Sequence, residues 1–122
     1  MKRILIYDDD VEILFLCKAI LGDERFHVDT LSHCDDVLLD VSELKPDLIL
    51  MDLWIPAIGG EKAITILKEN KSTSQIPVLL FSANSNISEI CLKIKADGYI
   101  EKPFDISELK NTIAKFLSYQ TA

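Results

Sequence analysis

Three short unbroken apolar runs, Ile4-Leu5-Ile6-Tyr7, Leu48-Ile49-Leu50-Met51 and Val78-Leu79-Leu80-Phe81, constrain the fold more than any other feature of this chain. A strand with one face in water alternates apolar and polar residues, whereas a strand covered on both faces reads as a continuous run. Each run stops at a polar residue, Asp8, Asp52 or Ser82. The runs therefore predict the central strands of a parallel sheet. His27-Val28-Asp29-Thr30 and Gly98-Tyr99-Ile100 have fewer apolar positions and predict edge strands, making five.

Segments with helical spacing separate these strands. In the first, Val11, Leu14, Phe15, Lys18, Ala19 and Leu21 fall on the repeat, and Gly22 is the terminator. Others run from about Cys34 to Leu44, Glu61 to Asn70 and Ile87 to Lys95. The last has the clearest start: Asp105 can cap it, Glu108 suits a capping box, and Ile106, Leu109, Ile113, Phe116 and Leu117 form one apolar stripe. It is expected to end about three residues before the C-terminus. Strands alternating with helices through short turns imply right-handed crossovers, and so an α/β fold with helices on both faces of the sheet.

The chain has 122 residues, enough for one domain with a proper core, and no linker, repeat or low-complexity stretch marks a second. A 48% hydrophobic and 27% charged composition is that of a globular protein. Its net charge of −7 repels phosphate backbones and anionic lipids, which argues against direct nucleic-acid or membrane binding. Cys17, Cys34 and Cys91 are odd in number and widely spaced, so they outline neither a disulfide framework nor a zinc site. The apolar run behind Met1-Lys2-Arg3 is too short for a signal peptide or a membrane span. A cytoplasmic location with reduced thiols is expected.

Ligands of open α/β sheets bind beyond the carboxyl ends of the strands, where the strand order reverses. There the first strand offers Asp8-Asp9-Asp10, the third Asp52, the fourth Ser82-Ala83, and the fifth is followed by Lys102-Pro103. Each has a bland reading: an Asp caps the next helix, Ser82 is a satisfied strand-end hydroxyl, Lys102 is a solvated charge. Asp52 fits the capping role worst, because Ile55-Pro56-Ala57-Ile58-Gly59-Gly60 separates it from the next helix. Jointly the bland readings fail, since carboxylates gathered within a few ångströms repel one another and require a positive partner. A hard divalent cation such as Mg²⁺ takes oxygen ligands of this kind, and Lys102 adds positive charge. Such a set suits a carboxylate nucleophile attacking phosphorus, a reaction that depends on positioning and charge neutralisation.

These residues resemble the response regulator receiver domains of two-component signalling, the CheY-like family, over nearly the whole chain. Ile4 through Asp9 resembles the family's first strand with its acidic pair, and Asp10 would face the first helix. Pro46-Asp47-Leu48-Ile49-Leu50-Met51-Asp52, followed by Pro56 and Gly60, resembles the phosphoacceptor strand and loop. Pro77 through Ala83 and Tyr99-Ile100-Glu101-Lys102-Pro103-Phe104 resemble the fourth and fifth strands. The resemblance implies a flavodoxin-like, doubly wound sheet of strand order 2-1-3-4-5 with five helices. It also implies that Asp52 is phosphorylated by a histidine kinase or histidine phosphotransfer protein. Mg²⁺ would be held by Asp8, Asp9, Asp52 and the backbone carbonyl of Trp54; Ser82 and Lys102 would engage the phosphoryl oxygens. Tyr99 would swing inward as Ser82 moves, although a partly buried strand aromatic is an equal reading of Tyr99.

Two features depart from the usual pattern. The span from Ser82 to Lys102 is about two residues shorter than in many members, which implies a trimmed fourth helix or lead-in loop and an altered partner surface. Trp54 and Asn84 occupy the variable positions beside the site, where a bulky Trp54 would shield an acyl phosphate from water. Three other functions compete. An aspartyl-phosphate phosphatase would need a second Asp two residues beyond the nucleophile, where Trp54 stands. A receiver reduced to a binding scaffold would lack an acid or the lysine, and none is missing. A flavodoxin-like nucleotide binder would need a Gly-rich phosphate loop. If the chain ends at Ala122, output by docking to another protein is expected, as in a stand-alone regulator, which is the preferred reading; a longer natural chain would carry a DNA-binding or enzymatic output domain instead.

Overall fold

The structure is a computed structural model that describes residues 1–22 and 26–121. Its elements alternate as expected: β1 (Arg3–Tyr7), α1 (Val11–Gly22), β2 (His27–Leu31), α2 (Val37–Leu44), β3 (Leu48–Asp52), α3 (Gly60–Glu69), β4 (Val78–Ser82), α4 (Ile87–Ile94), β5 (Gly98–Glu101) and α5 (Ile106–Thr121). All pairings are parallel and the strand order is β2-β1-β3-β4-β5. This is the flavodoxin-like α/β arrangement, and the order reverses at β1, between β2 and β3.

Side-chain alternation along the central strands divides the interior in two. Leu5 and Tyr7, Ile49 and Met51, and Val78 and Leu80 pack with Val37, Val41, Ala63, Ile64, Leu67 and Ile87 beneath α2, α3 and α4. Ile4 and Ile6, Leu48 and Leu50, and Leu79 and Phe81 pack on the other face with α1 and α5. Every residue of β3 and β4 is buried, which is why both read as unbroken apolar runs.

Three boundaries or faces differ from the sequence-based expectation. Of the expected repeat of α1, Leu14 and Leu21 are buried but Val11, Phe15, Lys18 and Ala19 are exposed, and Cys17 and Ile20 complete the buried face. α2 starts at Val37, because Asp36 caps it by accepting the Leu39 N–H at 3.1 Å, while Cys34 lies outside the helix in a parallel bridge to Ala57. α5 continues to Thr121 and leaves one residue beyond it. Its stripe is buried at Leu109, Ile113 and Leu117 and half-buried at Phe116, whereas Ile106 is exposed.

The end of the sheet away from the carboxyl termini is fastened by ions. Lys68 Nζ of α3 lies 2.5 Å from Asp97 Oδ2 and donates to the carbonyls of Ser74 and Ile76. The same Asp97 oxygen accepts the Val78 N–H at 2.8 Å, tying α3 to the starts of β4 and β5. No helix among the described residues is long and apolar enough to cross a membrane.

Candidate functional site

At the carboxyl ends of β1, β3 and β4 lies an open cleft of about 610 Å³ lined by Asp8, Asp9, Asp10, Asp52, Trp54, Ser82, Asn84 and Lys102, with Ile13 and Ala83. All the sequence-predicted site residues except Tyr99 are therefore brought together. Asp8 is fully buried, Asp52 and Ser82 nearly so, and Asp9 is exposed. Asp8, Asp9 and Asp52 each present one carboxylate oxygen, and the three oxygens lie within 4.8 Å of one another.

The positive partner is Lys102. Its ammonium nitrogen is 2.5 Å from Asp8 Oδ2 and 3.6 Å from Asp52 Oδ1. The backbone delivers it there, since the Lys102 N–H donates to the Ser82 carbonyl at 2.8 Å and so extends the β4–β5 pairing by one step. Asp10 is a helix cap: its Oδ1 accepts the N–H of Glu12 at 3.0 Å. Asp8 Oδ1 accepts the Asp10 N–H, so the turn between β1 and α1 is closed by its own carboxylates.

Burial pushes the Asp52 carboxyl up from 3.8 to about 6, the neighbouring Asp8 charge adds to the rise, and Lys102 and the Trp54 backbone N–H oppose it. At neutral pH Asp52 is still mostly ionised, as a nucleophile must be. Ser82 Oγ accepts the Asn84 N–H at 3.1 Å, which sets the hydroxyl at the cleft wall. Trp54 is 72% exposed and stands at the rim. Tyr99 is 43% exposed on β5 and is not among the residues that line the cleft.

The loop after Asp52 is held from two sides. The Gly60 N–H donates to the Leu53 carbonyl at 3.0 Å, and a Cβ at Gly60 would overlap the Asp52 carbonyl oxygen and approach Leu53 Cα to 2.8 Å. Across the loop, Cys34 donates to Pro56 and accepts from Ile58, so the β2–α2 connection clamps it. Sequence reasoning missed that clamp, and it missed Tyr7, whose buried hydroxyl donates to Asp40 Oδ2 at 2.7 Å. It also missed Phe81, whose ring lies beneath Lys102. No local pattern signals these contacts, because each joins residues far apart in the chain.

An acidic cleft on a sheet of this order defines a class of signalling domain, and comparison with known proteins places the chain within it. Residues 4–114 match the family described as the response regulator receiver domain. The DNA-binding response regulator MtrA of Mycobacterium leprae is 32% identical over 110 residues, covering 88% of this chain and 48% of that protein. The chain spans about half the length of the curated relatives it matches. Among solved structures, the CheY-like receiver domain protein from Methanospirillum hungatei superposes with a TM-score of 0.88 at 27% identity, covering 99% of this chain and 97% of that one. The receiver domain of the sensor histidine kinase PA1611 from Pseudomonas aeruginosa, described with a magnesium ion in its active-site cleft, gives 0.86 at 22% identity over 96% and 98% of the two chains. The chain belongs to the response regulator receiver domain family. It is a signalling phosphoacceptor by class, and its acidic triad is of the kind that holds Mg²⁺ in receivers.

Proposed function

We propose that this domain takes a phosphoryl group from the phosphohistidine of a histidine kinase or phosphotransfer protein onto Asp52, and so switches a protein-binding surface. The observation that carries the reading is the convergence of three carboxylate oxygens within 4.8 Å, with Lys102 beside them. Three such oxygens suit a hard divalent cation, and a relative with a magnesium ion in the equivalent cleft supports the same choice. Asp8, Asp9 and Asp52 would hold Mg²⁺, with the backbone carbonyl of Trp54. When bound, the ion neutralises charge on the phosphoryl oxygens.

The chain's own residues do the rest. An Asp52 carboxylate oxygen attacks phosphorus, the P–N bond of the donor breaks, and its electron pair leaves with the imidazole, which takes a proton from solvent. The product is an acyl phosphate on Asp52. Lys102 pairs with one phosphoryl oxygen, and the Ser82 hydroxyl moves towards the new group and donates its proton to another. That displacement would draw the β4–α4 loop inward, with Tyr99 following, and alter the surface of α4, β5 and α5. Output through another protein fits the charge of −7 better than direct contact with nucleic acid.

Incubation with Mg²⁺ and acetyl phosphate, followed by intact mass measurement, tests the reading. Wild type is expected to gain one phosphoryl group and Asp52→Asn none; equal gain by both removes Asp52 from the role. The same assay followed in time reads Trp54. Its indole at the rim shields the acyl phosphate from water, so Trp54→Ala is expected to lose the group several-fold faster, and an unchanged lifetime removes the shielding.

A further inference from the structure

The ammonium of Lys102 is held on three sides. Asp8 Oδ2 lies 2.5 Å away, Asp52 Oδ1 3.6 Å, and the centroid of the Phe81 ring 4.6 Å. The proposed reaction engages the first two elsewhere: Asp8 and Asp52 are ligands for the cation, and Asp52 gives an oxygen to phosphorus. Among the described residues, no other cation lies over the ring. Phe81 is fully buried in β4, in register with Asp52 on one side and Ile100 on the other, so its side chain has nowhere to turn. Phe104 leans on it with ring centroids 5.3 Å apart at 45°. Phe104 follows Lys102 by two residues, so the same ring also steadies the backbone that carries the lysine.

An aromatic face attracts a cation through its quadrupole, and the attraction grows as water is removed. The Lys102 side chain is 16% exposed, so little solvent intervenes. We infer that Phe81 is a positioning residue for Lys102: its ring keeps the ammonium over the cleft once Asp8 is shared with the cation, leaving the lysine's protons for the phosphoryl oxygens. An aliphatic side chain of similar bulk would fill the core equally well but would hold the ammonium by nothing that the reaction leaves free. The geometry stands alone, while its consequence for rate rests on the phosphoacceptor reading.

Fluorination separates electrostatics from packing, because it drains the ring face of electron density with little change in volume. Mono-, di- and trifluorinated phenylalanine are introduced at position 81 of the full chain, beside Phe81→Leu. The initial rate of phosphorylation by acetyl phosphate at saturating Mg²⁺ is expected to fall stepwise, by about three- to tenfold at the trifluoro ring. The melting temperature and the Mg²⁺ affinity read from Trp54 fluorescence are expected to stay at wild-type values. Independently of any reaction, the Lys102 ε-methylene protons are expected to show an upfield ring-current shift in the NMR spectrum, assigned through Lys102→Arg and lost in Phe81→Leu. A flat rate series, rates that track the melting temperature instead of fluorine number, or an unshifted ε-methylene in wild type overturns the inference. A wild-type chain that shows the shift yet accepts no phosphoryl group supports Phe81 as the seat and overturns the phosphoacceptor reading alone.

Discussion

Asp52 is kept at a cost to the fold that bears it. An unfolded chain would ionise this carboxyl near 3.8, whereas burial beside Asp8 moves the folded value to about 6. Between those values the folded state binds more protons than the unfolded one, so stability falls as pH rises through the window and the full penalty is present above about 6. The shift corresponds to about 3 kcal/mol. In chelator, Asp52→Asn is therefore expected to be more stable than wild type at neutral pH by about that amount, and the gap should close as pH drops from 6 towards 4. Urea midpoints of the two proteins at several pH values measure it. A gap independent of pH would mean that the carboxylate's charge is not what strains the site.

At the scale of elements, close approach matters more than composition. α3 starts directly against the end of β3, and Gly60 lets it do so: a Cβ there meets the backbone of Asp52 and Leu53, which has nowhere to yield. Gly60→Ala is expected to destabilise by about 1–3 kcal/mol and to slow phosphorylation by displacing Asp52. Gly22 is the matched control, because a Cβ there meets nothing within 4 Å, and Gly22→Ala at the end of α1 is expected to stay within about 0.5 kcal/mol of wild type. Denaturation midpoints and the phosphorylation rate read both, and equal effects at the two glycines would discard the close-approach account. The elements themselves were legible because the strands are covered on both faces and announce it as unbroken runs. The buried face of α1 was not, since Val11, Ile13, Leu14, Phe15, Leu16, Cys17, Ile20 and Leu21 leave hardly any side of the helix polar. Periodicity cannot select a face when nearly every face qualifies, and packing on β1 and β2 chose Leu14, Cys17, Ile20 and Leu21. The start of α2 had a signal in Asp36, a capping residue directly before the apolar run Val37-Leu38-Leu39, which a start at about Cys34 passes over.

For the whole molecule, the site follows from topology. Reversal of strand order at β1 opens a cleft between the connections that leave its end and that of β3, and residues 44 positions apart become neighbours there. That is why Asp8, Asp9, Asp52, Ser82 and Lys102 could be assembled from the sequence: each terminates or follows a strand, and the fold sends every strand end to one place. Phe81 and the Cys34 clamp depend on side-chain packing between elements and carry no such address. The same topology concentrates negative charge in one cleft of a chain whose net charge is already −7, so divalent cations have two ways to stabilise it: by occupying the cleft or by screening the whole surface. Occupancy predicts a gain set by the ratio of free ion to its dissociation constant, about 2.7 kcal/mol at a hundredfold excess. Wild type is expected to show that gain in Mg²⁺ over sodium chloride of matched ionic strength, and Asp52→Asn much less, so that Mg²⁺ narrows or reverses the mutant's advantage in chelator. Trp54 fluorescence should saturate over the same concentration range, because the indole stands at the rim of the cleft. Equal stabilisation of both proteins, or a gain reproduced by sodium chloride, would assign the effect to screening and leave the triad without its ion.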